Sequence, residues 1–578
     1  MNSTPLSQES LQQQDPSSAS LEGLQLVLEA ASRPKSATSS RSQRHLTPQV
    51  KKWSAACIDT YFGRFHDRWP VLHGPTFEKE VESVRLRSTV LLIGSWLRHE
   101  NEGNNHLIFD IHSILVKRLL DELIDTSPDP AGVWPLRTLQ SSLLNIIFAF
   151  ESGARLLFSL LVTVFRHLRV FSADAIEHQI RIHFSGDFPP WVFSMKEKWK
   201  RLCTNMFKID SYISLLTQQP PLLQREEMSL SLTSTFGQWN AWGIDVFFRR
   251  WPSEPVERSQ YRICDLALGS QQPIPPVILV EDLQIRMMGV TNYVWILNKM
   301  RGSPNPALCV SPDHKELISA RLKRCKLQLD SMTSIWKEPE LNKMHIDFLL
   351  RAYSAKEEPF HEGWEEAARN RFFSFVFSAT MLYHLLNMHI YADVHSYMQN
   401  LPVLSPAGAA SAANLSSLAT AVDNAQVQEW ASSPDCRIAV SHALFAYRVY
   451  GSTTSSPSDL KAEVVDPIAH MTIAAGAAIL WTWIQNTTSA CTCMSPMPLA
   501  GELDFGFVPL GAGQSPEVDH WILTGGNVWL HGVHLCKCNV DVWLSPFAAI
   551  LSHGARKWEV GDVFAQKLWS QLGLQRSV

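Results

Sequence analysis

The chain has 578 residues, of which 45% are hydrophobic and 18% charged, and its net charge at pH 7 is −4. That balance suits a globular protein with a sizeable core, excludes wholesale disorder, and excludes a polycation that holds nucleic acid along its whole length. Ten cysteines over this length are too sparse for a disulfide scaffold and read as reduced thiols.

Residues 1–50 are rich in Ser, Gln and Pro and read as a disordered polar tail. The opening MNSTPLSQESLQQQDPSSAS has neither a basic n-region nor an apolar h-region, so no secretory signal is expected. Inside the tail, LEGLQLVLEA (residues 21–30) reads as a short apolar helix that forms on meeting a partner, or as an incidental hydrophobic run. Arg33, Lys35, Arg41, Arg44, Lys51 and Lys52 form a cationic run with no acid among them. Such a run is a solvated linker, or a segment for nuclear import or phosphate contact. Set against Glu9, Asp15, Glu22 and Glu29, these six give residues 1–52 a net charge of +2 and leave −6 for the rest.

From Trp53 the pattern becomes helical. In YFGRFHDRWPVLHGPTF (residues 61–77), Tyr61, Phe62, Phe65 and Trp69 share one face at helical spacing. Pro70 disfavours the helical region for Trp69 and ends the helix. Gly74-Pro75 reads as a turn, and Thr76 as the N-cap of a following helix with Glu78 and Glu80 in its first turn. The periodic apolar residues of 139–150 and 157–168 predict two further helices separated by Glu151-Ser152-Gly153. In residues 191–242, Glu197, Lys198, Trp199, Phe207, Asp210 and Tyr212 precede Gln219-Pro220-Pro221, where neither proline continues a helix.

Together these stretches resemble the fungal-specific transcription factor domain, the middle homology or xylanolytic-activator regulatory region of zinc-finger-type fungal regulators. Tyr61, Phe65, Trp69, Pro70, His73, Pro75, Thr76 and Phe77 carry the first match. Leu139-Gln140, Ser152-Gly153 and Arg169 to Phe171 carry the second, and Phe207, Asp210 and the double proline carry the third. The resemblance implies an all-α fold, a large irregular helical domain, and a nuclear regulator of RNA polymerase II genes, with metabolic or secondary-metabolite gene clusters as typical targets. Its implied partners are DNA, directly or through other proteins, together with co-regulators or the transcription machinery; a homodimer is a further option and a membrane is not expected. The family's usual DNA reader, a six-cysteine zinc cluster or a pair of zinc fingers, is absent from this sequence. Cys57 is the single cysteine in the first 200 residues. The expectation is therefore action through partners, as a co-regulator that does not bind DNA itself, or a finger-coding segment upstream of Met1.

After Arg250, residues 251–276 read as a long polar loop. Helical patterns then return over 277–300, 313–336, 364–397, 438–450 and 466–485. The apolar run at 468–484 stands at the short limit for a membrane span, includes His470, and reads as a buried helix. The expected organisation is a tail (1–50), a regulatory domain (53–397), a flexible Ala/Ser-rich insertion (398–434), and a C-terminal helical region (435–578) packed on the same body.

One metal-like constellation stands out. Cys491, Cys493, Cys536 and Cys538 supply four thiols, enough for a tetrahedral zinc site, with His531 and His534 nearby. The one-residue gaps are shorter than the usual two to four, so buried or incidental cysteines are the competing reading, and no cofactor beyond zinc is indicated. Asp121-Glu122-Leu123-Ile124-Asp125 has the look of the acidic motif of terpene synthases, an all-α metal-dependent enzyme class. No second Asn/Ser/Glu cluster follows, so an acidic helix end is the simpler reading. His384 and His389 lie five apart and make no HExxH site, and no phosphate loop or nucleophile elbow is present. The sequence thus points to a regulator, not to an enzyme.

Overall fold

The computed structural model describes residues 16–33, 46–77, 83–98, 105–125, 132–150, 155–184, 186–266, 275–301, 312–357, 361–399, 417–453, 466–487, 491, 493, 498, 502–510, 515–554 and 564–569. Helices dominate, as the sequence predicts. The chain divides into two compact units: Met1–Leu72, Thr76–Ala149 and Ala154–Val164 form the first, and His73–Pro75, Phe150–Gly153 and Phe165–Val578 the second.

The first unit contains α1 (Pro16–Ser32), α2 (Pro48–Thr60), the second half of the one-turn α3 (Gly74–Phe77), α4 (Val84–Arg98), α5 (Asn105–Asp125), α6 (Leu136–Phe148) and the start of α7 (Arg155–Leu168). The structure departs from the expected tail at α1. Leu24, Val27 and Ala31 are buried, and α1 packs on α2, α4 and α5. The apolar stripe within residues 21–30 is therefore covered by the chain itself, a short pattern that the polar composition of the surrounding fifty residues conceals. The last carbonyls of α1, which no intrahelical amide can reach, accept from arginines: Arg85 donates to Ala31 at 3.2 Å and Arg118 to Ser32 at 2.8 Å. Arg85 is itself buried and paired with Glu122.

Thr47 caps α2 by accepting the Val50 amide, and Pro48 occupies its first turn. Val50, Trp53, Cys57 and Ile58 form its buried face. The helix then widens into a π turn over Tyr61–Phe65, in which the His66 amide reaches back to Tyr61. Tyr61, Phe65 and Trp69 are buried as the spacing predicts, and Phe62 packs edge-on against Phe77 at 5.3 Å. The predicted cap at Thr76 needs correcting. Proline at position 75 presets the backbone for a helical turn, so Thr76 lies inside α3, and Ser83 caps the next helix by accepting from Leu86 at 3.1 Å. Between α4 and α6, Thr89, Ser141 and Asn145 form a buried polar ladder with two bonds of 2.9 Å.

The second unit contains α8 (Ala173–His183), α9 (Pro189–Thr217), α10 (Phe236–Trp239), α11 (Ile244–Arg250), α12 (Val280–Met288), α13 (Thr291–Arg301), α14 (Pro312–Ser334), α15 (Lys343–Ala352), α16 (Trp364–Tyr391), α17 (Val394–Gln399), α18 (Ser417–Ser432), α19 (Pro434–Thr453), α20 (Pro467–Asn486), α21 (Pro516–Thr524) and α22 (Val540–Gly554). Helix α20 is long and apolar enough to cross a membrane, but 89% of its apolar window is buried against protein, with α16, α19 and α22 among its neighbours. The expected insertion at 398–434 contains a helix, α18, which packs on α19 and α20; residues 400–416 lie outside the described residues. The expected loop after Arg250 is held by a buried charge pair. Arg258 donates to Asp282 of α12 at 3.1 Å and to the Thr233 carbonyl at 2.9 Å.

A small sheet joins the helices. Strand β1 (Leu503–Asp504) pairs in parallel with β2 (Val528–Leu530), and β2 pairs antiparallel with β3 (Val533–His534). His531 and Gly532 both take positive φ, as a tight two-residue hairpin turn requires. The Asp504 carboxylate accepts both of their amides, at 3.0 and 2.8 Å.

Helices α2 and α4 cross where Gly94 meets the Cys57 carbonyl, and a Cβ at position 94 would collide with that backbone oxygen. Alanine improves helix propensity by about 1 kcal/mol, while overpacking against fixed backbone costs about 1–3 kcal/mol. Gly94→Ala is therefore expected to lower the thermal unfolding midpoint by several degrees, read by circular dichroism. An unchanged or raised midpoint would place the crossing elsewhere.

Candidate functional site

The eight residues of the aromatic motif serve packing. Tyr61, Phe65, Trp69, Pro75 and Phe77 are buried, while Pro70, His73 and Thr76 are half-buried. Tyr61 places its hydroxyl in the core without a hydrogen-bond partner among the described residues, and burial pushes that phenol far above its ordinary range. His73 packs its ring 4.5 Å from that of Trp239, and the Arg201 guanidinium lies 4.9 Å from the same indole. The histidine packs on tryptophan at a turn, and among the described residues nothing around it forms a catalytic set.

The third motif block has a clear local role. Helix α9 ends at Gln218 in the left-handed conformation, just before the two prolines. Asp210 accepts the amides of Leu222 and Leu223, at 3.1 and 2.7 Å, which fixes the chain as it leaves the double proline. Between three and four turns earlier Glu197 accepts from Lys200 at 2.7 Å and from the amide and hydroxyl of Ser234, at 3.0 and 2.9 Å. Lys208 donates to Asp466 at 2.7 Å across 258 residues of sequence, and both side chains are buried. Asp466 in turn caps α20 by accepting the Ile468 amide at 3.1 Å.

A cavity of a size to hold a small molecule lies among α14, α16, α19 and α21. It measures about 840 Å³, and Phe373, Phe377, Tyr383, Phe445 and Ile522 supply much of its wall. Its polar feature is a pair of imidazoles, His384 and His442, whose Nδ1 atoms are 3.0 Å apart. Burial, then the neighbouring ring and Lys326, push His384 well below the usual imidazole range; burial and Lys326 push His442 to about 3. Both rings are thus neutral at physiological pH, one donating to the other. His384 belongs to no zinc motif, and nothing beside it in sequence points to His442, because the two stand 58 residues apart on different helices. His389 sits on another side of α16, near Asn298 and Arg301, and burial holds it at about 3.

The four thiols proposed from the sequence do come together. The sulfurs of Cys491, Cys493, Cys536 and Cys538 all lie within 4.8 Å of one another, and all four cysteines are free. Among the described residues no other group of three or more His, Cys, Asp or Glu side chains is so arranged. Asp121 and Asp125 are exposed at the end of α5, while Glu122 between them is buried against Arg85. The acidic run is a helix end with one structural ion pair. Of the basic run, Arg33, Lys51 and Lys52 are exposed, and Lys35, Arg41 and Arg44 lie outside the described residues.

Comparison with known proteins matches residues 58–267 to the family model described as the fungal specific transcription factor domain. Over those residues the chain is similar to that family. The matched stretch begins in α2 and ends beyond the 3₁₀ turn Cys264–Leu266, so it takes in both the aromatic motif and the Asp210–double-proline exit. One curated relative is zinc finger protein zas1 of Schizosaccharomyces pombe, 23% identical over 217 residues. The alignment covers 35% of this chain and 23% of the relative, so this chain spans under a quarter of that protein's length. No solved structure gives a significant match. A fungal-specific transcription factor domain suggests a transcriptional regulator.

The buried imidazoles set the acid side of the stability profile. His384, His389 and His442, with His470 held at about 4 by burial, stay neutral in the folded chain. Above about pH 6.5 they are neutral in both states and contribute no pH dependence. Below it the unfolded chain takes up protons that the folded chain refuses, so stability falls with pH, by up to about 1.4 kcal/mol per pH unit for each ring. Urea unfolding at pH 7.5 and pH 5.5 is expected to show a marked loss at the lower pH, smaller in His442→Gln. A loss as large in His442→Gln as in the wild type would contradict the neutral assignment of that ring.

Proposed function

We propose that this chain is a nuclear regulator of transcription by RNA polymerase II, acting through its helical body on protein partners and controlling a metabolic or secondary-metabolite gene set. The match of residues 58–267 to the fungal specific transcription factor domain carries this reading. The family is in general nuclear and non-enzymatic, which fits a chain whose acidic run is a helix end and whose motif histidine packs on tryptophan. Contact with DNA comes in this reading through a partner or through a segment outside residues 1–578. Cys57 is wholly buried on α2, where it serves packing, not metal ligation. The exposed cations Arg33, Lys51 and Lys52 supply at most a weak, salt-sensitive phosphate contact.

The cavity between α14, α16, α19 and α21 gives the regulator a place for an effector. Its aromatic wall and neutral imidazole pair suit a mostly apolar molecule with one hydrogen-bonding group. Occupation would favour the conformation that binds it better, and the output would shift by that difference in affinity.

Fusing the full chain to an unrelated DNA-binding module, upstream of a reporter gene in a fungal host, tests the proposal. A several-fold change in reporter output, up or down, is expected, whereas the purified chain alone is expected to bind duplex DNA only at low salt. Reporter output equal to that of the module alone would overturn the regulatory reading. Tight, sequence-selective DNA binding at physiological salt would overturn the partner-mediated one.

A further inference from the structure

We propose that Cys491, Cys493, Cys536 and Cys538 bind one zinc ion as a closed, structural tetrathiolate site that fastens the end of the core helix α20 to the start of α22. Zinc held by four thiolates at about 2.3 Å, in a tetrahedron, sets its sulfurs about 3.8 Å apart. The four sulfurs here already lie within 4.8 Å of one another without any disulfide among them. Thiols are weak donors and weak acceptors, so such a cluster has little to hold it together as neutral groups. A divalent cation supplies the missing attraction and displaces the thiol protons.

One backbone amide and one imidazole face the cluster. The Cys493 amide points at the Cys491 sulfur at 3.4 Å. His534, buried on β3, brings its Nδ1 to 3.9 Å from the Cys491 sulfur. These are the outer contacts that orient metal ligands and steady their charge. The one-residue spacing that weakens the motif in sequence therefore serves a purpose in the first pair, where the turn directs the Cys493 amide at the Cys491 sulfur.

The ligand set identifies the metal and its role. Four soft thiolates with no open position suit zinc and leave no site for a reactive water, so the site is structural, not catalytic. Cys491 and Cys493 follow the end of α20 at Asn486. Cys536 and Cys538 lie between β3 and α22, where the Cys536 carbonyl accepts the indole N–H of Trp543 at 3.1 Å. The ion closes a loop that contains the whole small sheet and α21. That sheet has only two or three residues per strand, too few to be stable alone.

The test uses the full chain purified under reducing conditions. Elemental analysis is expected to give one zinc per chain, and exchange with cobalt(II) to give the intense visible and near-ultraviolet bands of a tetrahedral cobalt thiolate. In Cys491→Ser/Cys536→Ser both signals are expected to fall to near zero. Should that variant fail to fold, the wild-type cobalt spectrum decides the matter alone. A chain without zinc that gives no cobalt thiolate bands would overturn the proposal, as would stoichiometric zinc retained by the folded double variant. Disulfides mapped among these four cysteines after thiol trapping at lysis would overturn it as well.

Discussion

The carboxylate of Asp466 is the constraint on which the second unit depends. It is almost fully buried, and a buried charge is tolerated only when it is paired and hydrogen-bonded. Its two oxygens meet that condition from two directions. One caps the first turn of α20, the apolar helix at the centre of the unit; the other accepts from Lys208 on α9. Tyr212 adds a weaker bond at 3.4 Å, and the Gln284 amide of α12 reaches the tyrosine hydroxyl at 3.1 Å. One side chain thereby fixes the start of the core helix and the registry of two helices distant in sequence. An apolar pair of equal size could match this stability, but it would not specify one arrangement of α9, α12 and α20.

Buried polar groups repeat that logic elsewhere. Arg258 and Asp282 hold the segment after α11 against α12, and Arg85 and Glu122 join α4 to α5 while Arg85 also holds the end of α1. Such pairs make a large helical domain specific, because apolar helix faces alone would slide past one another. In the proposed reading, the cavity with its two imidazoles is where a small effector binds.

Local signals made much of this legible in the sequence. The helical periodicity of 61–69, the double proline after α9 and the Asp466-Pro467 start of α20 each rest on residues within one or two turns of each other. The burial of Tyr61, Phe65 and Trp69 and the membrane-like but buried nature of 468–484 follow from the same kind of reasoning. What escaped is what distance decides. Nothing near His384 announces His442, nothing near Lys208 announces Asp466, and Arg258 sits in a stretch whose composition looks like a solvated loop. The helix α1 was hidden for another reason, since its apolar stripe is short and its neighbours are polar. The four cysteines were visible as two pairs, but their convergence depends on a hairpin whose turn rests on His531 and Gly532.

The most direct test of this account is a double-mutant cycle on the pair that keys α9 to α20. Lys208→Met and Asp466→Asn would each be measured by urea unfolding of the full chain, alone and together. Each single change leaves a buried group without its partner and is predicted to cost about 3–5 kcal/mol. The double variant is predicted to cost well below the sum, with a coupling of about 1–3 kcal/mol. Costs that simply add would show that the two residues do not act on one another, and the core helix would then need a different anchor.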